Sequence, residues 1–135
     1  MLRRLTIRDF VIVDRLELEF QTGFGALTGE TGAGKSILLD ALGLALGGRA
    51  DAGAVRTGRD KADIAAEFDL PTSGGLADWL VTQDLPVDEG MVILRRVVEA
   101  GGRSRAWING VPVTQAQLRT SAARLRFCPS RSQIR

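Results

Sequence analysis

One stretch of eight residues constrains the fold of this chain more than any other feature of its sequence. It reads Gly29-Glu30-Thr31-Gly32-Ala33-Gly34-Lys35-Ser36 and fits G-x-x-x-x-G-K-[ST], the pattern of phosphate-binding loops. Such a loop connects a strand to a helix, and the helix N-terminus takes part in binding the phosphates. With the chain's own frequencies of Gly, Lys, Ser and Thr, a chance match has a probability of roughly 0.3%. The motif therefore predicts a nucleotide-binding site.

Each residue type in the motif has a physical role. The glycines let the backbone adopt positive φ and approach a ligand closely, and successive N–H groups then form a concave site for the α- and β-phosphates. Lys35 supplies a positive charge for the β- and γ-phosphates, and the Ser36 hydroxyl is an oxygen ligand for Mg²⁺. Glu30 must turn outward, because an ionised carboxylate near phosphate oxygens is repelled. The predicted binding residues are Gly29, Glu30, Thr31, Gly32, Ala33, Gly34, Lys35 and Ser36.

The residues around the motif match the required strand, loop and helix. The apolar run 24–28 predicts a strand, and residues 35–46 carry an apolar stripe at helical spacing that ends at Gly47-Gly48. Upstream, residues 2–8 alternate between apolar and polar and predict a half-buried strand, whose pattern breaks at Asp9-Phe10. Residues 14–20 alternate cleanly, so we expect them to form a hairpin with 24–28 or to lie beside it.

The sequence after residue 48 predicts further strands and two helices. Residues 49–61 read as a charged surface loop, and composition alone favours a solvated loop over one that faces nucleotide or DNA. A strand over 62–70 and a short helix over 73–82 follow, with Trp79 in the core. The later elements are a hairpin of 91–99 with 103–108, a tight turn at Asn109-Gly110 into 111–113, and a helix over 115–124 that begins with a capping box of Thr114 and Gln117.

The residues leave open the role of one group of arginines in the later part of the chain. Four arginines cluster on the predicted hairpin, and they indicate either an exposed, charge-protected β surface or a contact with a phosphate backbone: Arg95, Arg96, Arg103 and Arg105.

We place one domain at residues 1–128. The remaining segment, 129–135, is polar and basic with Pro129 at its start, and we expect it to be disordered or aberrant.

Composition excludes several other classes of protein. A chain of 135 residues suits one domain, and 44% hydrophobic with 25% charged residues is ordinary for a globular protein. The absence of histidine rules out His-based metal sites and a Ser-His-Asp triad. The single cysteine, Cys128, cannot form an intramolecular disulfide and fits a reducing cytosol. We expect no membrane association, because no apolar run reaches membrane-spanning length. A net charge of +2 gives no general argument for nucleic acid.

Longer stretches resemble one family. They read L-T-I-R-D-F-V-I-V-D-R-L-E-L-E-F and then L-T-G-E-T-G-A-G-K-S-I-L-L-D-A-L-G-L-A-L-G-G-R-A. Both resemble the N-terminus of the RecN family, bacterial DNA double-strand-break repair ATPases of the structural-maintenance-of-chromosomes (SMC) class. Residues 55–58 and 102–110 agree, so the resemblance covers residues 1 to about 124. Other SMC-like heads usually carry Asn where this chain has Glu30.

The resemblance implies a fold and a set of partners. The fold is α/β: a P-loop NTPase, the N-terminal part of an ATP-binding-cassette-type head, with an antiparallel β subdomain. In the family the head is split between the two ends of a long chain, and two heads sandwich ATP. The resemblance therefore implies ATP and Mg²⁺ as cofactors, DNA as a partner, the C-terminal half of the head, a homodimer at full length, and a cytoplasmic, nucleoid-associated location. It also implies that Arg56, in Val55-Arg56-Thr57-Gly58, lies near nucleotide or DNA.

The sequence departs from the family pattern at its end. It stops before the coiled coil, the signature motif and the acidic strand end that would hold Mg²⁺ and orient water, so we identify no catalytic residue within it. An H-G-Q segment is expected after the last helix, but Pro129 to Arg135 stands there. We therefore expect a truncated or frame-shifted product or a sequence error, and ATP hydrolysis only as part of a full-length ATPase. The alternatives are a small-molecule P-loop kinase and a non-catalytic nucleotide-binding module.

Overall fold

The described residues form one antiparallel sheet with helices against it. A computed structural model describes residues 2–19, 32–49, 52–70, 75–87 and 90–125. Its sheet is six-stranded in the order β2-β1-β3-β4-β5-β6, and every neighbouring pair runs antiparallel. The strands are β1 (Leu2–Phe10), β2 (Val13–Glu19), β3 (Lys61–Asp69), β4 (Met91–Glu99), β5 (Ser104–Ile108) and β6 (Val111–Val113). The helices are α1 (Gly32–Ala45), α2 (Leu76–Thr82) and α3 (Gln115–Leu125), with a short 3₁₀ turn at Ala52–Ala54.

The two faces of the sheet differ because side chains alternate along each strand. In β3 the even-numbered residues Ala62, Ile64, Ala66 and Phe68 are all fully buried. The inward face of β3 contacts the apolar stripe of α1, in which Ala41, Leu42 and Ala45 are fully buried too. The opposite face carries charged residues that pair across strands, which we call the outer face: Arg4, Asp63, Glu67, Arg95, Glu99 and Arg105.

The first hairpin differs from the sequence prediction. Asp9-Phe10 does not break β1, which continues to Phe10 and pairs with β2 across a turn at Val11-Ile12. Composition could not predict this turn, because neither residue favours turns. The turn is fixed from outside by the amide of Val11, which donates to the Ala54 carbonyl at 2.8 Å, and by a bridge between Phe10 and Val55. The predicted partner strand, 24–28, lies outside the described residues.

The turns that join β4, β5 and β6 confirm the sequence prediction. Glu99 and Arg103 close the hairpin of β4 and β5, with the Glu99 amide donating to the Arg103 carbonyl at 2.7 Å. Asn109 and Gly110 have φ values of 49° and 85°, as a type I′ turn requires. The Asn109 side chain also accepts a hydrogen bond from the Ile93 amide at 2.8 Å and donates to the Pro86 carbonyl at 2.8 Å. One residue thus closes a hairpin and fixes the segment before β4.

The N-terminus of the last helix depends on local sequence as predicted. Thr114 and Gln117 form a capping box, since the Gln117 amide donates to Thr114 Oγ1 at 3.0 Å and the Thr114 amide donates to Gln117 Oε1 at 2.9 Å. Helix α3 therefore begins at Gln115 as predicted, and within the described residues it spans Gln115–Leu125. The boundary predicted at 128 and the tail 129–135 lie outside the described residues and remain predictions.

Candidate nucleotide-binding site

The phosphate-loop motif runs into the N-terminus of α1. Gly29, Glu30 and Thr31 lie outside the described residues, whereas residues 32–36 form the first five positions of α1. The helix therefore starts inside the motif, three residues before the predicted start at 35. The first four N–H groups of a helix have no partner within it, and the positive end of the dipole lies there. Because α1 starts at Gly32, these N–H groups belong to motif residues. An anion-binding helix N-terminus uses its first N–H groups in this way.

The opposite end of α1 closes through two glycines. The Gly48 amide donates to the Gly43 carbonyl at 2.8 Å, and the Gly47 amide donates to the Leu44 carbonyl at 3.1 Å. This pair of bonds is a Schellman motif with Gly47 in the left-handed region at φ 98°. Gly47 also allows a close approach, because a Cβ there would lie 2.8 Å from Cα of Arg119. The predicted ending of the helix at Gly47-Gly48 is confirmed.

The arginines predicted as one cluster divide between the two faces of the sheet. Arg95 lies on the outer face, where its guanidinium donates to both oxygens of Asp63 at 3.0 and 2.6 Å and lies 4.9 Å from the Trp107 ring centre. The hydrogen bonds from Arg95 to Asp63 raise the pKa of Arg95. Arg103 is exposed in a turn, and Arg105 lies 3.9 Å from Glu99. These three fit an exposed, charge-protected surface.

Arg96 corrects the prediction of a single exposed surface. It is 1% exposed and points toward α1, because it occupies the inward register of β4. Its guanidinium donates to the carbonyls of Leu44 at 3.1 Å and Gly48 at 2.9 Å. Burial, and then the charge of Arg119, lower the pKa of Arg96. Alternation along the strand could have indicated the inward direction, but only the fold places the C-terminal carbonyls of a helix above it.

Arg56 lies beside the first hairpin. Its Nη1 is 3.2 Å from Asp14 Oδ1 in β2, and its amide donates to the Asp9 carbonyl at 2.8 Å. Arg59 pairs with Asp9 at 3.6 Å in the same region. Sequence reasoning missed both carboxylates, since their partners are distant in the chain and no local signal marks them. Nearness of Arg56 to the nucleotide or DNA stays a prediction, because residues 29–31 are outside the described part.

A cleft of about 450 Å³ opens beside α1. Phe10 and Val11 of the first hairpin form one side, and the 3₁₀ turn forms another. Val11 has φ 54°, which is a strained conformation for a β-branched residue. The hydrogen bond from the Val11 amide to the Ala54 carbonyl holds this conformation. The cleft wall is mostly apolar and has Asp40 and Arg49 among its residues.

The described residues contain neither a metal-binding cluster nor a membrane-spanning helix. Within 2–19, 32–49, 52–70, 75–87 and 90–125, no group of three or more His, Cys, Asp or Glu residues is placed to hold a metal ion. Across those same ranges, no helix combines the length and apolar character needed to cross a membrane.

Comparison with known proteins identifies the family. Residues 4–115 match the family described as "AAA domain". The chain is 48% identical over 126 residues to the DNA repair protein RecN of Xylella fastidiosa and 49% identical over 120 residues to RecN of Vibrio cholerae. These matches cover 93% and 89% of this chain but only 22% of each relative, so the chain spans about a fifth of their length.

Solved structures agree on the fold. An SMC ATPase, described with ATP-driven dimerization and DNA-stimulated activation, superposes with a TM-score of 0.74 at 25% identity, covering 95% of this chain and 81% of that one. An Smc head bound to the C-winged helix domain of ScpA gives 0.70 at 24% identity, covering 96% and 42%. The chain therefore belongs to the AAA-domain family, matches the N-terminal region of the DNA repair protein RecN, and has the fold of an SMC-type ATPase head.

Proposed function

We propose that residues 29–36 bind MgATP, and that the chain acts as the nucleotide-binding lobe of a RecN-like ATPase in the repair and recombination of DNA double-strand breaks. The observation that carries this proposal is the start of α1 inside the phosphate-loop motif, so that the N–H groups without a partner inside the helix belong to motif residues at the positive end of the helix dipole. The names of the relatives support the assignment to DNA repair.

The motif residues suit the chemistry of a nucleoside triphosphate with Mg²⁺. The glycines leave room for phosphate oxygens beside the backbone, Lys35 offers a charge to the β- and γ-phosphates, and the Ser36 hydroxyl would hold Mg²⁺. Bound Mg²⁺ would neutralise developing charge on the phosphates. The partners in this proposal are DNA, the C-terminal half of the head and a second copy of the full-length protein. Its place is the cytoplasm, at the nucleoid.

Titration of the purified chain with MgATP tests the proposal, and the sequence supplies a matched control. The chain has two lysines, Lys35 in the motif and Lys61 at the start of β3. Lys35→Ala should weaken binding by roughly 2–4 kcal/mol, because a charge-assisted contact with phosphate is lost. Lys61→Ala removes the same charge from an exposed position outside the motif and should leave the affinity within a factor of about two. Unchanged MgATP affinity in Lys35→Ala would overturn the assignment.

A further inference from the structure

The C-terminal end of α1 is held by side chains from two other elements. From β4, Arg96 donates to the Leu44 and Gly48 carbonyls, and its Nη2 donates to Ser104 Oγ at 3.2 Å. From α3, Gln115 Nε2 donates to the Gly47 carbonyl at 3.0 Å, and Arg119 Nε donates to the same carbonyl at 3.2 Å. We call Arg96, Gln115 and Arg119 the carbonyl clamp. It connects the phosphate-loop helix to the sheet and to α3.

Stability alone does not explain an arginine at the centre of this clamp. Arg96 is 1% exposed, its Nε has no hydrogen-bond partner, and among the described residues no carboxylate forms a salt bridge with it. A buried charge is costly unless it is well compensated, and apolar residues of similar size often serve stability equally well. The compensation here comes from carbonyls at the negative end of the α1 dipole. The arginine therefore specifies where this helix end lies.

Because α1 is a stiff helix, fixing its C-terminal end also restricts the position of the phosphate loop at its N-terminal end. Helix α1 has 14 residues, so its axis is about 21 Å long at 1.5 Å per residue. A displacement at one end of a stiff rod of this length moves the other end, where the motif begins at Gly32 within the helix. The clamped end has little freedom, because α3 approaches Gly47 so closely that a Cβ would meet the Arg119 backbone at 2.8 Å.

We propose that Arg96 is a positioning residue for nucleotide binding: by holding the C-terminal carbonyls of α1, it sets the position of the phosphate loop at the other end of the helix. This inference rests on the proposed function of residues 29–36. It predicts that loss of the guanidinium weakens MgATP binding by the folded chain, although Arg96 lies on the far end of α1 from the phosphates.

The test is the MgATP dissociation constant of purified variants, measured with folding stability under the same conditions. Arg96→Met fills similar space without hydrogen bonds and should bind MgATP at least fivefold more weakly. Arg96→Lys keeps the charge but has one nitrogen in place of Nη1, which holds the two carbonyls, and Nη2, which holds Ser104, so its affinity should fall between those of Arg96→Met and the unaltered chain. Arg95→Met is the matched control, since it makes the same substitution one residue away on the outer face, and it should bind within twofold of the unaltered chain.

A second control separates positioning from general destabilisation. Ile108→Val removes one methylene from a fully buried residue of β5 and should lower the denaturation midpoint while leaving MgATP affinity within twofold. If Arg96→Met does not fold, the double variant Gln115→Ala/Arg119→Ala, which removes the α3 half of the clamp from more accessible residues, should bind at least threefold more weakly.

Two outcomes would overturn the proposal, and they are distinguishable from each other. If the unaltered chain binds MgATP in a Lys35-dependent manner, but Arg96→Met or the double variant binds equally well, the positioning role is wrong and the proposed function stands. If the unaltered chain does not bind MgATP, the proposed function fails and the inference fails with it.

Discussion

Arg95 and Arg96 are neighbours in β4, yet their contributions to the molecule are of different kinds. Arg95 makes a bidentate pair with Asp63 at 2.6 and 3.0 Å over Trp107, but its side chain is 44% exposed. Such surface pairs stabilise a fold by about 1 kcal/mol or less. Arg96 is fully buried, so removing its guanidinium leaves buried carbonyls with one donor fewer, at a cost of about 1–3 kcal/mol.

Arg56 allows a separation of structural and functional roles by mutation. Its ion pair with Asp14 joins side chains that are 34% and 70% exposed, so Arg56→Ala should change the free energy of unfolding by less than about 1 kcal/mol. We expect the variant to bind MgATP more weakly, because the family resemblance places this arginine near nucleotide or DNA. Denaturation and MgATP titration measure the two effects, with Arg59→Ala as the neighbouring control. Full MgATP affinity in Arg56→Ala, together with unchanged DNA-stimulated turnover of the full-length protein carrying the same substitution, would make the residue ordinary surface.

Gly47 combines a left-handed backbone conformation with a close approach of α3, so a side chain there should be costly. Alanine there would adopt the left-handed region at φ 98° and would place Cβ 2.8 Å from the Arg119 backbone. We expect Gly47→Ala to lower the free energy of unfolding by about 2–4 kcal/mol, since backbone strain and a steric clash combine. Gly101→Ala is the control, because a Cβ at that position would meet nothing within 4 Å. Equal denaturation midpoints for the two variants would contradict the tight packing of the α1 terminus against α3.

Among the elements, α3 depends most clearly on its own sequence. Thr114 and Gln117 exchange two hydrogen bonds at its N-terminus, and both partners are close in the chain. Thr114→Ala should lower the free energy of unfolding by about 1 kcal/mol, because one N–H group at the helix start loses its acceptor. Thr114→Ser keeps a hydroxyl and should recover most of that loss. Denaturant midpoints measure both, and an alanine variant as stable as the serine variant would show that the cap contributes nothing.

Elements with local determinants were predictable from the sequence, and elements fixed by distant contacts were not. Asn109-Gly110, the capping box at Thr114 and the ending of α1 at Gly47-Gly48 each depend on residues within one turn, and each is confirmed. The Val11-Ile12 turn depends on Ala54 and Val55, more than forty residues away, so its own residues gave no signal. The prediction for Arg96 was wrong for the same reason, since its acceptors belong to α1.

The fold class of the whole molecule followed from the motif and the family resemblance together. The motif predicts a helix after the loop, and the alternating segments predict strands, but neither sets the order of a six-stranded antiparallel sheet. That order depends on which strands pair over long separations in the chain, such as β1 with β3. The predicted phosphate contacts themselves remain predictions, since they involve residues 29–31 and the side chains of 32–36.

For the whole molecule, we expect nucleotide binding without hydrolysis. Phosphoryl transfer needs an in-line water and a group that orients it, besides charge stabilisation. The candidate carboxylates for that role have other positions in the structure: Asp40 is exposed on α1, Asp63 pairs with Arg95, and Glu67 lies 3.3 Å from Arg4. The RecN relatives are about four times as long as this chain, since each match covers 22% of the relative.

The central claim, MgATP binding through the phosphate loop without turnover, is tested most directly on the purified 135-residue chain. Bound nucleotide and released phosphate should be measured in one preparation, beside Lys35→Ala. We expect MgATP to bind in a saturable manner that Lys35→Ala greatly weakens, and phosphate release to equal that of the variant. Multiple turnovers that disappear in Lys35→Ala would contradict the account and would reveal a catalytic base within this chain, and MgATP binding that Lys35→Ala leaves intact would refute the site itself.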